Sequence, residues 1–160
     1  WKYDYPKIID DFEFEILYFA EYLLREGILE NVRFPSESEV KVTFHDACRL
    51  GRLGDKLYDI PRKLLRLLPG VNLVEMEHIK EDASCCGVSA FMGCNEYTRL
   101  LRKRRLEEAL NTGADYLVVP CPKCLTHFTC YLNEPHLDEI HKKLKEQLTV
   151  IDLATFLGKL

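Results

Sequence analysis

Five cysteines stand in a pattern able to do metal or redox chemistry: Cys48, thirty-six residues, Cys85-Cys86, thirty-four residues, then Cys121-Pro122-Lys123-Cys124. Thiolates are soft ligands that suit iron–sulfur clusters, zinc and copper(I). A closed zinc site takes four ligands, usually as two chelating pairs with short gaps. Only Cys121 and Cys124 have such a gap. The adjacent side chains of Cys85 and Cys86 diverge, which suits two irons of one cluster better than one ion. Five thiolates also exceed what a single zinc needs. Taken alone, Cys121-x-x-Cys124 would suggest a thioredoxin-like dithiol, but that leaves Cys48, Cys85 and Cys86 without a role. The plainest alternative, buried cysteines acting as small hydrophobes, does not account for the pattern.

Other residues are weighed against this centre. His45 and His127 stand close to the cysteines and are the candidate catalytic residues. A histidine can titrate near neutrality and give a proton to a leaving thiolate, although turn histidines commonly serve only as hydrogen-bonding groups. Cys94 and Cys130 lie outside the five, as reactive thiols or packing residues. Arg99, Arg102, Lys103, Arg104 and Arg105 form a basic cluster on one helix. It reads either as a dock for an acidic partner or as a solvated face paired with Glu107 and Glu108. Gly51-Arg52-Leu53-Gly54 lacks the third glycine of a dinucleotide fingerprint, so nucleotide binding is set aside.

Composition narrows the class. The 160 residues are 47% hydrophobic and 30% charged, as in a folded globular domain. The net charge of −4 argues against nucleic acid as the main partner. No apolar run is long enough for a direct membrane span, and the polar, acidic N-terminus does not read as a signal peptide. Seven cysteines, an odd number without an export signal, point to a reducing compartment rather than to a disulfide framework. The expected location is cytoplasmic, or at the inner face of a membrane through a partner subunit. The first residue is Trp1, and a piece of a longer protein is expected.

The elements that must position these groups follow from periodicity. Residues 9–26 read as an amphipathic helix stopped by Gly27, followed by a polar stretch at 33–39. A strand at 40–44 runs into His45-Asp46-Ala47-Cys48 and a glycine turn. A helix is expected at 58–68, a strand at 71–76, and a loop at 83–93 carrying Cys85-Cys86-Gly87. Asn95 caps a helix at 96–111, and the apolar strand 116–119 leads to Pro122 at the start of another. A short strand at 150–151 precedes Asp152 as the cap of a last helix. Strands alternating with helices predict an α/β fold, a parallel sheet of about four strands flanked by helices, with an extra N-terminal helix. Sites in such sheets form at the carboxyl ends of the strands, which is where Cys48 and Cys121 fall. Gly51, Gly54 and Gly87 are expected to let backbone N–H groups approach sulfur.

The motif Cys48…Cys85-Cys86-Gly87…Cys121-Pro122-Lys123-Cys124 resembles the cysteine-rich CCG domain. That domain belongs to heterodisulfide reductase catalytic subunits and to iron–sulfur subunits of glycolate, lactate and glycerol-3-phosphate oxidoreductases. The segments Thr43-Phe44-His45-Asp46-Ala47-Cys48-Arg49-Leu50-Gly51, Leu68-Pro69-Gly70-Val71 and Gly113-Ala114-Asp115 extend the resemblance over about residues 40 to 157. The resemblance implies a Rossmann-like fold and a noncubane [4Fe-4S] cluster held by Cys48, Cys85, Cys86, Cys121 and Cys124. It also implies a second CCG repeat or oxidoreductase subunit as partner, a thiol or disulfide substrate, and a ferredoxin-type domain or flavoprotein as electron donor. This chain departs from the pattern in carrying one copy of the motif, a slightly shorter gap before the last pair, and Ala47 where proline is common. The expected organisation is an N-terminal helix and connector at 1–39 and the iron–sulfur domain at 40–160. The expected function is electron transfer to a disulfide. The alternatives are an electron-transfer subunit of a 2-hydroxyacid or glycerol-3-phosphate dehydrogenase and a zinc-binding structural module.

Overall fold

A computed structural model describes residues 2–31, 39–88, 94–135 and 138–159. Residues 33–38 of the polar stretch and 89–93 of the cysteine loop lie outside the described residues. The chain divides into two compact units, residues 1–33 and 34–160.

In the first unit the helix is shorter than its periodicity suggests. Helix α1 spans Phe19–Arg25, and residues 12–18 are not helical. Asp10, Asp11, Glu13 and Glu15 would place like charges three and four residues apart, which opposes a helix there. The helix starts where the Glu21 carboxylate can accept the Tyr18 N–H, at 2.9 Å. Glu15 instead pairs with Arg25 at 2.6 Å.

The second unit is an α/β layer structure. Its strands are β1 (Val40–Phe44), β2 (Val71–Leu73), β3 (Tyr116–Val119) and β4 (Thr149–Asp152). They form one parallel sheet in the order β2-β1-β3-β4. The helices are α2 (Asp59–Leu67), α3 (Glu96–Asn111), α4 (Pro122–Leu132), α5 (Glu139–Gln147) and α6 (Leu153–Lys159). The α/β class and the four-stranded parallel sheet are as expected from sequence. Two details differ. Strand β2 stops at Leu73 rather than at residue 76, because Glu75 turns away to meet a buried arginine on α2. Helix α5 is an addition to the expected elements; Asp138 caps it through the His141 N–H at 3.1 Å, and Leu144 and Leu148 follow at helical spacing.

Strand alternation sorts the two faces of the sheet. Leu117 and Val119 of β3 pack with Leu106 and Ala109 of α3, Phe128 and Tyr131 of α4, and Leu144 of α5. Each fully buried leucine or phenylalanine there stabilises the fold by about 1.5–3 kcal/mol. Thr43 lies beside Leu117 in the sheet, so His45, two residues on, continues the same face. Phe44 points the other way, under the Arg62 guanidinium of α2, 5.5 Å from its ring centre. The chain passes from β1 outward to β2, then returns to the far side of β1 for β3. That reversal makes the carboxyl ends of β1 and β3 the crevice where open parallel sheets bind ligands.

Candidate functional site

His45 extends the β1–β3 pairing by one residue, its N–H donating to Val118 O at 2.9 Å. Asp46 then turns to the α2 side and takes both Nη groups of Arg62, at 2.7 and 2.8 Å, and the Lys80 N–H at 2.8 Å. Arg62 also donates to both oxygens of Glu75, at 2.9 and 3.0 Å, and to Tyr58 O at 2.8 Å. Two strand ends and α2 are thereby tied together under the loop that carries Cys48. Cys48 is half-buried in the turn after β1, and its carbonyl accepts the Leu53 N–H at 2.8 Å.

From the end of β3 comes the second group. Cys121 is the N-cap residue of α4, Pro122 opens the helix and Cys124 sits in its first turn. The chain between β2 and α3 brings Cys85 and Cys86. Gly87 follows with φ +87°, and a Cβ there would lie 2.8 Å from Thr98 O, so only glycine fits at this turn. The Gly87 N–H donates to Cys85 Sγ at 3.3 Å. Gly51 and Gly54 do not play that part: their N–H groups bond to Ala47 O and Gly51 O, each at 3.0 Å.

These pieces converge. Cys124 Sγ–H donates to Cys86 Sγ at 3.1 Å. One nitrogen of His45 and the sulfurs of Cys86 and Cys124 all lie within 4.8 Å of one another. The hydrogen bonds from Cys124, Cys85 and His45 hold Cys86 well below the usual thiol range against its burial. Cys124, which shares its thiol hydrogen with the sulfurs of Cys121 and Cys86 and is itself buried, is pushed up. The Cys124 thiol, with backbone N–H groups at the start of α4, brings Cys121 down to about 6 despite partial burial. Four of the five predicted thiols therefore share one network, and Cys48 stands on the same sheet edge without a described sulfur contact. Cys94 is exposed, 3.9 Å from Arg102 Nη1, and Cys130 is exposed on α4.

The basic helix keeps the expected pairing with Glu107 and Glu108, through Lys103 and Arg105, but two of its arginines face inward rather than to solvent. Arg102 and Arg105 are fully buried, facing α4 and the end of β1 rather than solvent or a partner. Arg99 pairs with Glu134, Lys103 pairs with Glu107 and Asp138, and Arg104 is exposed. Arg105 Nε–H donates to His45 Nδ1 at 3.2 Å, and its Nη1 to His78 O at 2.8 Å and Glu108 at 2.7 Å. Burial, against the hydrogen bond to Cys86 and with Arg105 adding to it, keeps His45 below its ordinary value. Burial and Arg102 do the same to His127, which lies against the backbone of Cys86. Sequence reasoning missed both arginines; their spacing of three residues, in line with Thr98, Leu106 and Ala109 on one helix face, was the available signal.

The donor set fits an anionic guest. Arg102 Nε and Nη2 and Arg105 Nη2 are buried guanidinium donors without a hydrogen-bond partner among the described residues, with a looser 3.7 Å ion pair from Arg102 Nη2 to Glu134; His127 Nδ1 is buried and unpartnered as well. Buried donors normally find acceptors, and the sulfides and thiolates of an iron–sulfur cluster are acceptors of this kind. A zinc ion bound by His45 with these thiols fits less well. A metal-bound histidine donates its other ring N–H to an acceptor, whereas the Nδ1 of His45 faces a guanidinium N–H.

Comparison with known proteins gives the family of the chain. The cysteine-rich domain family matches residues 42–129, a segment that includes all five cysteines, His45 and His127. One of the subunits of the dihydromethanophenazine:CoB–CoM heterodisulfide reductase of Methanosarcina acetivorans is 32% identical over 127 residues, 77% of this chain and 31% of that protein. The probable iron–sulfur-binding oxidoreductase FadF of Bacillus subtilis is 36% identical over 79% of this chain and 18% of its own length. The EtfAB:quinone oxidoreductase of Syntrophomonas wolfei is 33% identical over 99% of this chain and 22% of its own. The chain thus spans less than a third of each of these relatives. No solved structure matches it significantly. With the motif, the fold and the thiol network in agreement, the chain belongs to the CCG cysteine-rich domain family.

Proposed function

We propose that this chain is the iron–sulfur domain of a heterodisulfide-reductase-type oxidoreductase, with Cys48, Cys85, Cys86, Cys121 and Cys124 holding a noncubane [4Fe-4S] cluster. The observation that carries the reading is the convergence of the thiols of Cys85, Cys86, Cys121 and Cys124 at the switch-point edge of the sheet, with 3.1 Å between Cys124 and Cys86. Bound there, such a cluster supplies electron storage and an iron open to a sulfur ligand. The substrate is a disulfide. Its S–S bond breaks as two electrons and two protons are taken up, giving two thiols. The electrons come from a ferredoxin-type domain or a flavoprotein, and a second CCG repeat or an oxidoreductase subunit completes the site. His127 is the candidate for proton handling, since its Nδ1 has no partner among the described residues. No described helix is long and apolar enough to cross a membrane.

A second reading is a pure electron-transfer domain of a dehydrogenase, passing electrons between a flavoprotein and another acceptor. The similarity to a quinone oxidoreductase across 99% of the chain supports it. The electron paramagnetic resonance signal of the reconstituted, oxidised protein separates the two. On adding a thiol–disulfide pair, the first reading expects a changed signal that Cys86→Ser abolishes. An unperturbed signal in the wild-type protein contradicts it and favours the second.

A further inference from the structure

We propose that Arg105 is a positioning residue: it fixes the ring hydrogen of His45 on Nε2, so that His45 serves the thiolate centre as a standing N–H donor to Cys86 and is barred from binding metal. This rests on the cluster reading only for the consequence, not for the geometry.

A guanidinium has donors and no acceptor. Its Nε–H points to His45 Nδ1 at 3.2 Å, so that nitrogen must present its lone pair. The one hydrogen of the neutral ring is then on Nε2, the nitrogen left for the Cys86 and Cys124 sulfurs that lie within 4.8 Å of a ring nitrogen of His45. Neither partner can readily turn away. Arg105 is anchored by His78 O at 2.8 Å and Glu108 at 2.7 Å, and Glu108 in turn accepts the His78 N–H at 2.5 Å. His45 is held by the bond from its backbone to Val118 O, and its ring stands edge-on to Phe128, 5.1 Å between centres. The Nε2 tautomer cannot coordinate through its protonated nitrogen, and the opposite tautomer would set two donors face to face. Donation to a thiolate ligand draws off negative charge, which favours the reduced, more negative cluster and raises its potential.

The test uses the full chain with 15N-labelled histidine and has two arms. In the metal-free protein, ring 15N shifts are expected to show the Nε2–H tautomer of His45. Arg105→Met should lose or mix that tautomer, and Arg105→Lys, which keeps a donor, should restore it. In the reconstituted protein, Arg105→Met should shift the cluster potential downward, and the shift should be clearly smaller in a His45→Phe background, because the part of the effect that runs through the ring is then absent. An Nδ1–H tautomer in the wild-type protein overturns the assignment, as does an equal potential shift in both backgrounds. Failure to assemble any cluster contradicts the proposed function, and the tautomer arm alone then decides the role of Arg105.

Discussion

Arg62 and the pair Arg102 and Arg105 are all fully buried, yet their surroundings are opposite. Every N–H of Arg62 is taken: two bonds to Asp46, two to Glu75 and one to Tyr58 O. Against its burial, those carboxylates hold the guanidinium more firmly protonated than usual. Arg105 keeps Nη2 without a partner, and Arg102 keeps Nε and Nη2 without a hydrogen bond, among the described residues. Burial pulls Arg105 below its ordinary value, with Glu108 only partly opposing. A charge that is closed off within the protein is a brace, and Arg62 braces the loop that carries Cys48. A buried charge with donors to spare suits a guest of opposite sign. The two sides of the sheet thus divide the labour: the α2 side fixes the strand ends, and the α3–α4 side presents donors to the thiol centre.

Substitutions can break this contrast. Arg62→Met leaves Asp46 buried without its cation and should destabilise the metal-free protein by about 3–5 kcal/mol, measured by denaturant unfolding. Arg102→Met should behave differently. It removes a poorly paired buried charge, so metal-free stability should move by no more than about 1 kcal/mol in either direction, while iron and sulfide retained after anaerobic reconstitution fall. Equal destabilisation by both variants would erase the distinction. Asn95→Ala is the control for the helix that carries both arginines: losing the cap to the Thr98 N–H should lower stability by about 1 kcal/mol with iron content unchanged. The smallest effect is one of pH. Because the Cys121 thiol is depressed to about 6, its thiolate persists above that pH and is lost as pH falls through it. Alkylation of Cys121 in the metal-free protein should therefore have its midpoint near pH 6, and a midpoint in the ordinary thiol range would contradict the helix-start environment described here.

Much of the sheet and of the centre could be read from residue order, and the reasons are local. The alternation in Val40–Phe44, the apolar run Tyr116–Val119, Asn95 before α3 and Pro122 at the start of α4 are short-range signals with short-range causes. The cysteines could be grouped because parallel strands bring their carboxyl ends to one edge. What could not be read depends on distant partners. Nothing near Arg62 in sequence announces Asp46 and Glu75, and nothing near Arg105 announces His45, sixty residues away. Charged helix residues default to solvent, so a basic run such as 102–105 gives no hint of which members face inward. The N-terminal helix is too long in the sequence reading for the opposite reason: apolar spacing over residues 9–26 masks four carboxylates set at repelling distances. Helix α5 has its cap and its Leu144–Leu148 spacing in plain view, but only three apolar side chains in a polar stretch to support it.

The most direct test of the central claim is the iron, acid-labile sulfide and zinc content of the wild-type chain purified without oxygen. The account predicts iron and sulfide in equal amounts, about four of each per chain, with both lost in Cys86→Ser. About one zinc per chain without sulfide, persisting after anaerobic reconstitution with iron and sulfide, would contradict it and leave the domain a structural zinc module.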